Sequence, residues 1–297
     1  MSIPNTHFGR EYISSLLSGK KKLFFAGIGG VSMCSLAHIS MLRGHEVAGY
    51  DRTPSKFTRS LEEAGIRVYY ESSADHMDGV DALIYTVAIP ETNAEYVRAV
   101  ELGIPRISRA DFLGYIMSTY KYRIGVSGMH GKSTTTSMLE GIYTEAGASP
   151  TVSCGAIMKD VGSTHVIGHG DTFIFEACEY MDSFLDFYPT TAVILNIELD
   201  HVDYFKSMEQ IHSSFGKFAA LTGDDGIVVA NACDTDVKSA LSGYGGRLVT
   251  FGVECAEADY NATGIEYSGG KVYFDLACRG KLIGRVNVKI PGEHYVW

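Results

Sequence analysis

Ten residues near the middle of the chain, Ser127-Gly128-Met129-His130-Gly131-Lys132-Ser133-Thr134-Thr135-Thr136, restrict its fold more than any other stretch. Before them, Tyr122–Val126 reads as a short strand. After them, Thr134–Ala146 reads as a helix stopped by Gly147. A glycine-bearing loop between a strand and a helix N-terminus aims backbone N–H groups and the positive end of the helix dipole at one spot. Lys132 adds a formal charge suited to β and γ phosphates, and the Ser133 hydroxyl can ligate Mg²⁺. The usual spacing of such loops wants a glycine five residues before Gly131, where this chain has Val126 and carries Gly128 instead. The motif is a variant phosphate loop, and it demands a strand–loop–helix unit and hence an α/β fold.

The N-terminal side repeats that alternation. Strands read at Leu23–Ala26, His45–Tyr50, Arg67–Tyr70, Asp81–Thr86 and Ile104–Ile107, and helices at Val31–Arg43, Ser55–Ala64, Asn93–Leu102 and Arg109–Ser118. This βαβ spacing predicts a parallel, doubly wound sheet. Beyond the phosphate loop, Thr172–Phe175 and Ala192–Asn196 are apolar runs too short for helices, as buried parallel strands are. A helix follows at Met208–Leu221 and a strand at Gly226–Ala230, and residues 247–290 read as antiparallel hairpins with glycine turns. At 297 residues two domains are expected: a Rossmann-like N-terminal domain at 1–119 and a phosphate-loop α/β ATPase domain at 120–297.

Composition narrows the partners. A net charge of −10 offers no basic excess for nucleic acid, so anionic ligands must be held by loops and metals. No apolar run approaches the length of a membrane span, and no signal-peptide layout opens the chain, so a cytoplasmic protein is expected. The cysteines Cys34, Cys154, Cys178, Cys233, Cys255 and Cys278 include no Cys-x-x-Cys pair and read as reduced thiols.

A second glycine loop, Gly27-Ile28-Gly29-Gly30, opens the first βα unit. The third glycine of a dinucleotide fingerprint would fall at Ser32, which argues against a nicotinamide-dependent dehydrogenase, but the loop still permits close approach of a diphosphate. Asp51, ending the second strand, is placed to reach a ribose or a base edge, or to serve only as a turn residue. Two acidic clusters end apolar strands: Glu176-Ala177-Cys178-Glu179, and Asn196-Ile197-Glu198-Leu199-Asp200-His201-Val202-Asp203. Ligands of doubly wound sheets collect at the carboxyl ends of strands, so these clusters are expected beside the phosphate loop. Glu176 with Ser133 suits Mg²⁺. His201 stays open between metal, hydrogen bond and core, and Glu179, Asp200 and Asp203 between direct roles and solvated loop carboxylates or helix caps.

Together these motifs resemble the Mur ligase family over nearly the whole chain. Phe25 to Met33 is similar to the family's UDP loop, Gly128 to Thr134 to its ATP loop, and Glu176 to Tyr180 with Asn196 to Asp203 to its metal-site segments. Pro291-Gly292-Glu293-His294 is similar to the start of its adenine-side helix.

The resemblance implies ATP-dependent ligation of L-alanine to the carboxylate of UDP-N-acetylmuramate through an acyl phosphate, in peptidoglycan precursor synthesis. It implies that Gly128, Met129, His130, Gly131, Lys132, Ser133 and Thr134 bind ATP, with Lys132, Glu176 and His201 catalytic. One Mg²⁺ would be held by Ser133 and Glu176, and a second by Glu176 and His201. Gly27, Ile28, Gly29, Gly30, Val31, Ser32, Met33, Asp51 and Thr86 would bind the UDP substrate. Val87, Ala88, Val152 to Gly155, Arg106 and Arg109 are further candidates along the sugar nucleotide. The family's chain continues into a C-terminal amino-acid-binding domain, whereas this one stops at Trp297 inside an opening helix. A truncated chain is therefore expected, binding UDP-N-acetylmuramate, binding ATP weakly and ligating poorly. Two further readings stand beside this one: a ligase that recycles murein tripeptide, and a non-catalytic UDP-sugar-binding protein.

Overall fold

The computed structural model describes residues 3–288, so the Pro291–His294 motif lies outside the described residues. These residues pack as two compact units. The first takes the chain up to Arg123, with Thr136–Phe175 and Asp186–Tyr188. The second takes Ile124–Thr135, Glu176–Leu185 and the residues from Pro189 onward.

In the first unit, α1 (Arg10–Leu16) leads into β1 (Lys22–Ala26), α2 (Val31–Leu42), β2 (Glu46–Tyr50), α3 (Lys56–Glu63) and β3 (Arg67–Tyr69). Then come β4 (Ala82–Tyr85), α4 (Ala94–Glu101), β5 (Arg106–Ser108) and α5 (Arg109–Ser118). The five strands run parallel in the order β3-β2-β1-β4-β5, so β1 lies at the centre, between β2 and β4. Leu23 to Ala26 and all of β4 are buried, as continuous apolar runs in a parallel sheet should be. Helix starts are fixed by side-chain caps: Ser55 accepts from the Thr58 N–H, Asn93 from Tyr96, and Ser108 from Asp111. This unit also holds β7 (Thr151–Met158), β8 (Ser163–Val166) and all but the last residue of β9 (Thr172–Glu176). In it β7 pairs with β9 in parallel and with β8 antiparallel.

In the second unit, β6 (Tyr122–Ser127) is joined through the phosphate loop to α6 (Lys132–Glu145), a helix whose later turns belong to the first unit. It continues with β10 (Thr191–Ile194), α7 (Met208–Ala220), β11 (Ile227–Asn231), α8 (Thr235–Ala240) and β12 (Arg247–Val253). Three longer strands follow, β13 (Tyr260–Ser268), β14 (Lys271–Cys278) and β15 (Lys281–Val288). From edge inward the order is β15-β14-β13-β12-β11-β10-β6.

The hairpins expected over 247–290 are present only from β13 onward, where β13, β14 and β15 pair antiparallel. β12 instead pairs in parallel with β11, and its last three residues pair in parallel with Tyr260, Asn261 and Ala262 of β13. The chain makes this return within six residues because Glu254 adopts φ 49° and the Asp259 carboxylate accepts from both the N–H and the hydroxyl of Thr250. α1 is absent from the sequence expectation: Gly9 gives it no side-chain cap, and the segment before it is tied down by tertiary contacts. Asp111 accepts from the Thr6 hydroxyl and from the Phe8 N–H.

Candidate active site

The phosphate loop leaves β6 through Gly128 at φ 134° and enters α6 through Gly131 at φ 86°, conformations that side chains rarely adopt. A Cβ on Gly128 would stand 3.1 Å from Leu195 Cβ and 3.2 Å from both the N and O of Asn196, so the variant glycine lets the loop rest on the end of β10. Asn196 then clasps it: its side-chain oxygen accepts from the His130 N–H at 2.8 Å, and its amide nitrogen donates to the His130 carbonyl at 3.0 Å. α6 begins at Lys132, two residues earlier than the sequence pattern suggests, which brings Lys132 and Ser133 into its first turn.

Lys132 is held from two sides. Its ammonium donates to the carbonyls of Gly128 and Met129 and to both carboxylate oxygens of Glu179, at 3.3 and 3.1 Å. The Glu179 side chain is 1% exposed, and His201 Nε2 lies 3.1 Å from its Oε1. A buried carboxylate is stable when paired and hydrogen-bonded, and Glu179 has both a cation and an imidazole. In sequence Glu179 is open between a direct role and a solvated loop carboxylate or helix cap; its burial excludes the solvated loop. The signal available was its place three residues after Glu176, beyond a strand end.

The segment carrying Glu179 is fixed by the residues just after it. Met181 and Asp182 both sit in the left-handed region, φ 54° and 55°, and His201 does likewise at 51°. Each costs roughly 1–2 kcal/mol for a side chain with a Cβ, which tertiary contacts must offset. The Asp182 N–H donates to the Glu179 carbonyl, and its carboxylate accepts from Ser214 on α7 and from Tyr204 at 2.7 Å. Phe184 stacks on Phe218 of α7 at 4.6 Å. Tyr180 packs against the His201 ring and donates its hydroxyl to Asp203; that hydrogen bond holds the Asp203 carboxyl below its usual range. Asp200 accepts from the His201 N–H. Glu176 ends β9 and is half-buried. Asp182, Tyr204 and Ser214 were not singled out from sequence, and Asn196 stood out only as the first residue of an acidic cluster.

The glycine loop of the first unit borders a pocket of about 460 Å³ lined by Gly27, Gly30, Val31, Ser32, Met33, Asp51 and Thr86, among others, including Ala88 and Arg109. Gly27, at φ 83°, passes so close to Thr86 that a Cβ would lie 2.5 Å from its methyl. The Asp51 carboxylate accepts from the Gly29 N–H at 2.9 Å and from Thr53 at 3.1 Å, so it shapes the loop. Ile28 is fully buried and is not among the lining residues; its side chain fills the space a Cβ on Gly49 would need. Val87 packs into the core of the parallel sheet, Arg106 lies over the Tyr96 ring at 5.4 Å, and Val152 to Gly155 lie within β7. The Ser32 hydroxyl oxygen is buried without a hydrogen-bond partner.

A Rossmann-like parallel sheet bearing one glycine loop, and an α/β sheet bearing a second, define a two-loop α/β protein in which each loop opens a helix. Residues 22–121 match the catalytic domain of the Mur ligase family, and residues 126–297 match the Mur ligase middle domain. The chain belongs to the Mur ligase family. It is 42% identical over 278 residues to a UDP-N-acetylmuramate–L-alanine ligase of Caldanaerobacter subterraneus, covering 93% of this chain and 60% of that protein. The crystal structure of UDP-N-acetylmuramate–alanine ligase from Thermotoga maritima superposes with a TM-score of 0.81 at 29% identity, over 93% of this chain and 62% of that one. A UDP-N-acetylmuramate:L-alanyl-γ-D-glutamyl-meso-diaminopimelate ligase from Neisseria meningitides gives 0.83 at 27% identity, over 93% of this chain and 90% of that one. The chain spans about 60% of the length of the curated relatives it matches. Among the described residues no helix is long and apolar enough to cross a membrane.

Proposed function

We propose that this chain carries the nucleotide-sugar and ATP sites of a cytoplasmic UDP-N-acetylmuramate–L-alanine ligase. The observation that supports this most is the phosphate loop whose Lys132 shares a buried carboxylate with His201, in a chain 42% identical to a relative of that name. A carboxylate is a poor acyl donor because oxide is a poor leaving group. Transfer of the ATP γ-phosphoryl to the muramoyl carboxylate gives an acyl phosphate, from which the amine of L-alanine displaces phosphate. Such chemistry asks the protein to position charged reactants and to offset growing negative charge.

In this reading the loop N–H groups of Gly128 to Thr134 and the Lys132 ammonium bind the ATP phosphates. Lys132 turns from Glu179 toward the γ-phosphate, and Glu179 keeps His201 oriented. The pocket at Gly27 to Met33, with Asp51 and Thr86, takes the UDP group. Mg²⁺ suits the oxygen donors present, a Ser133 hydroxyl and a Glu176 carboxylate, with the His201 imidazole a less usual ligand beside them. Among the described residues no three His, Cys, Asp or Glu side chains gather into a metal site, so phosphate oxygens and water would complete the coordination, as Mg²⁺ prefers. Bound there at two positions, it would neutralise charge on the transferring phosphoryl group.

Titration calorimetry with UDP-N-acetylmuramate and with Mg·ATP tests the reading. Saturable binding of both is expected, with UDP-N-acetylglucosamine, which lacks the lactyl carboxylate, failing to support ADP formation. The reading fails if neither ligand binds. Stimulation of phosphate release by the L-alanyl-γ-D-glutamyl-diaminopimelate peptide and not by L-alanine would replace the acceptor with a murein peptide.

A further inference from the structure

Far along the chain from both loops, two thiols meet in the second unit. Cys233 follows β11 and precedes the cap of α8, while Cys255 lies in the short return between β12 and β13. Gly252 makes room for them: a Cβ there would stand 2.9 Å from Cys233 Sγ and 3.1 Å from Cys255 Sγ. The Cys233 thiol donates to the Val253 carbonyl at 3.8 Å, with the Cys255 thiol beside it. Cys255 is buried in a small apolar cluster with Ala232 and Ala258, whereas Cys233 is exposed. Cys233 is thus the residue of the pair that reaches solution, with its sulfur partly tucked against Gly252, and Cys255 lies beside it. Lys238 of α8, itself paired with Glu257, lies near both thiols and favours the anionic form of Cys233.

The surrounding backbone is tied to the phosphate-loop region. The Cys233 N–H donates to the Asn231 side chain, whose amide in turn donates to the Leu195 carbonyl at 3.1 Å. The neighbouring Asp234 caps α8 through one oxygen and accepts from the Ile197 N–H through the other. Leu195 and Ile197 flank Asn196, the residue that clasps the loop.

We propose that Cys233 and Cys255 form a modification site for small-molecule disulfides, which close it to an intramolecular disulfide. The Cys233 thiolate, its proton lost to water, attacks one sulfur of a disulfide such as glutathione disulfide and releases one glutathione thiolate. The Cys255 thiolate then attacks the Cys233 sulfur of the mixed disulfide and releases the second. Two protein thiols are oxidised and one small disulfide is reduced to two thiols. Burial pushes the Cys233 thiol up to about 11, so the exchange is slow at neutral pH and faster in mild alkali.

The test incubates the whole chain with glutathione disulfide at mildly alkaline pH, alkylates the remaining thiols and maps peptides without reduction. The expected product is a Cys233–Cys255 linked peptide, reversed by dithiothreitol, with Cys34 and Cys154 still alkylated after unfolding. In a Cys255→Ser chain the reaction is expected to stop at glutathione bound to Cys233. Glutathione retained on Cys233 of the parent chain would overturn the proposal, as would both thiols remaining free or Cys233 linking to a different cysteine.

Discussion

The Glu179 carboxylate bridges Lys132 and His201, with Oε2 lying 3.1 Å from the Lys132 ammonium and Oε1 3.1 Å from His201 Nε2. Lys132 is 16% exposed and Glu179 1%, so removing the carboxylate leaves a largely buried cation with only carbonyl partners. Glu179→Ala is expected to lower unfolding free energy by about 3 kcal/mol. Glu179→Gln, which keeps the shape and a hydrogen-bonding oxygen, should cost less than half of that. Urea unfolding monitored by tyrosine fluorescence checks both, and a loss under about 1 kcal/mol for the alanine variant would show that Glu179 is not the counter-charge described here.

Asn196 makes paired hydrogen bonds to the backbone of His130. Asn196→Ala removes both and frees the loop to sample other shapes. Affinity for Mg·ATP is expected to fall about tenfold, equal to roughly 1.4 kcal/mol, while affinity for UDP-N-acetylmuramate stays unchanged. Titration of each ligand separately measures this, and an equal loss for both would point to general unfolding instead.

Gly27 combines φ 83° with an approach to Thr86 that leaves no room for a methyl group. Gly27→Ala is expected to cost about 2 kcal/mol of stability and to weaken UDP-N-acetylmuramate binding at least tenfold. Thr86→Ser relieves the clash, so the double variant should recover part of the binding; no recovery would rule out the Thr86 contact as the cause.

His165, on β8, lies edge-on to His38 of α2 with ring centroids 5.7 Å apart. Burial, with a smaller push from His38, brings His165 down to about 4 from its ordinary 6.5. Its folded-state value lies below the unfolded one, so between these values the unfolded chain binds more protons. Stability is then fully present above about pH 6.5 and falls as the pH drops toward 4, by up to about 3 kcal/mol. His165→Phe should flatten the urea midpoint against pH over that window; an unchanged slope would exclude His165 as its source.

The parallel sheet was legible because buried strands and caps leave local marks: Leu23–Ala26, the Ser55 and Asn93 caps and the glycine stops all stand in sequence. So was the phosphate loop, whose glycines and lysine are contiguous. The roles of Asn196 and Asp182 were not, because they depend on residues 66 and 32 positions away, and neither role belongs to a local pattern. β12 departs from the expected hairpin for the same reason: its parallel pairing with β13 rests on Asp259 turning back to Thr250. Short alternating strands next to glycine turns resemble hairpins until such a contact is known.

The Asn196 clasp also sets an order of events during synthesis. His130 and its loop leave the ribosome well before residue 196, at a time when Leu195 and Asn196, against which Gly128 rests, do not yet exist. Strand β6 alone cannot give the loop its shape; the shape waits for β10 to dock beside β6 in register, with Ile194 opposite Ser127. A nascent chain therefore offers no finished phosphate cradle to nucleotide until that pairing closes, which makes nucleotide binding a late report on correct strand order.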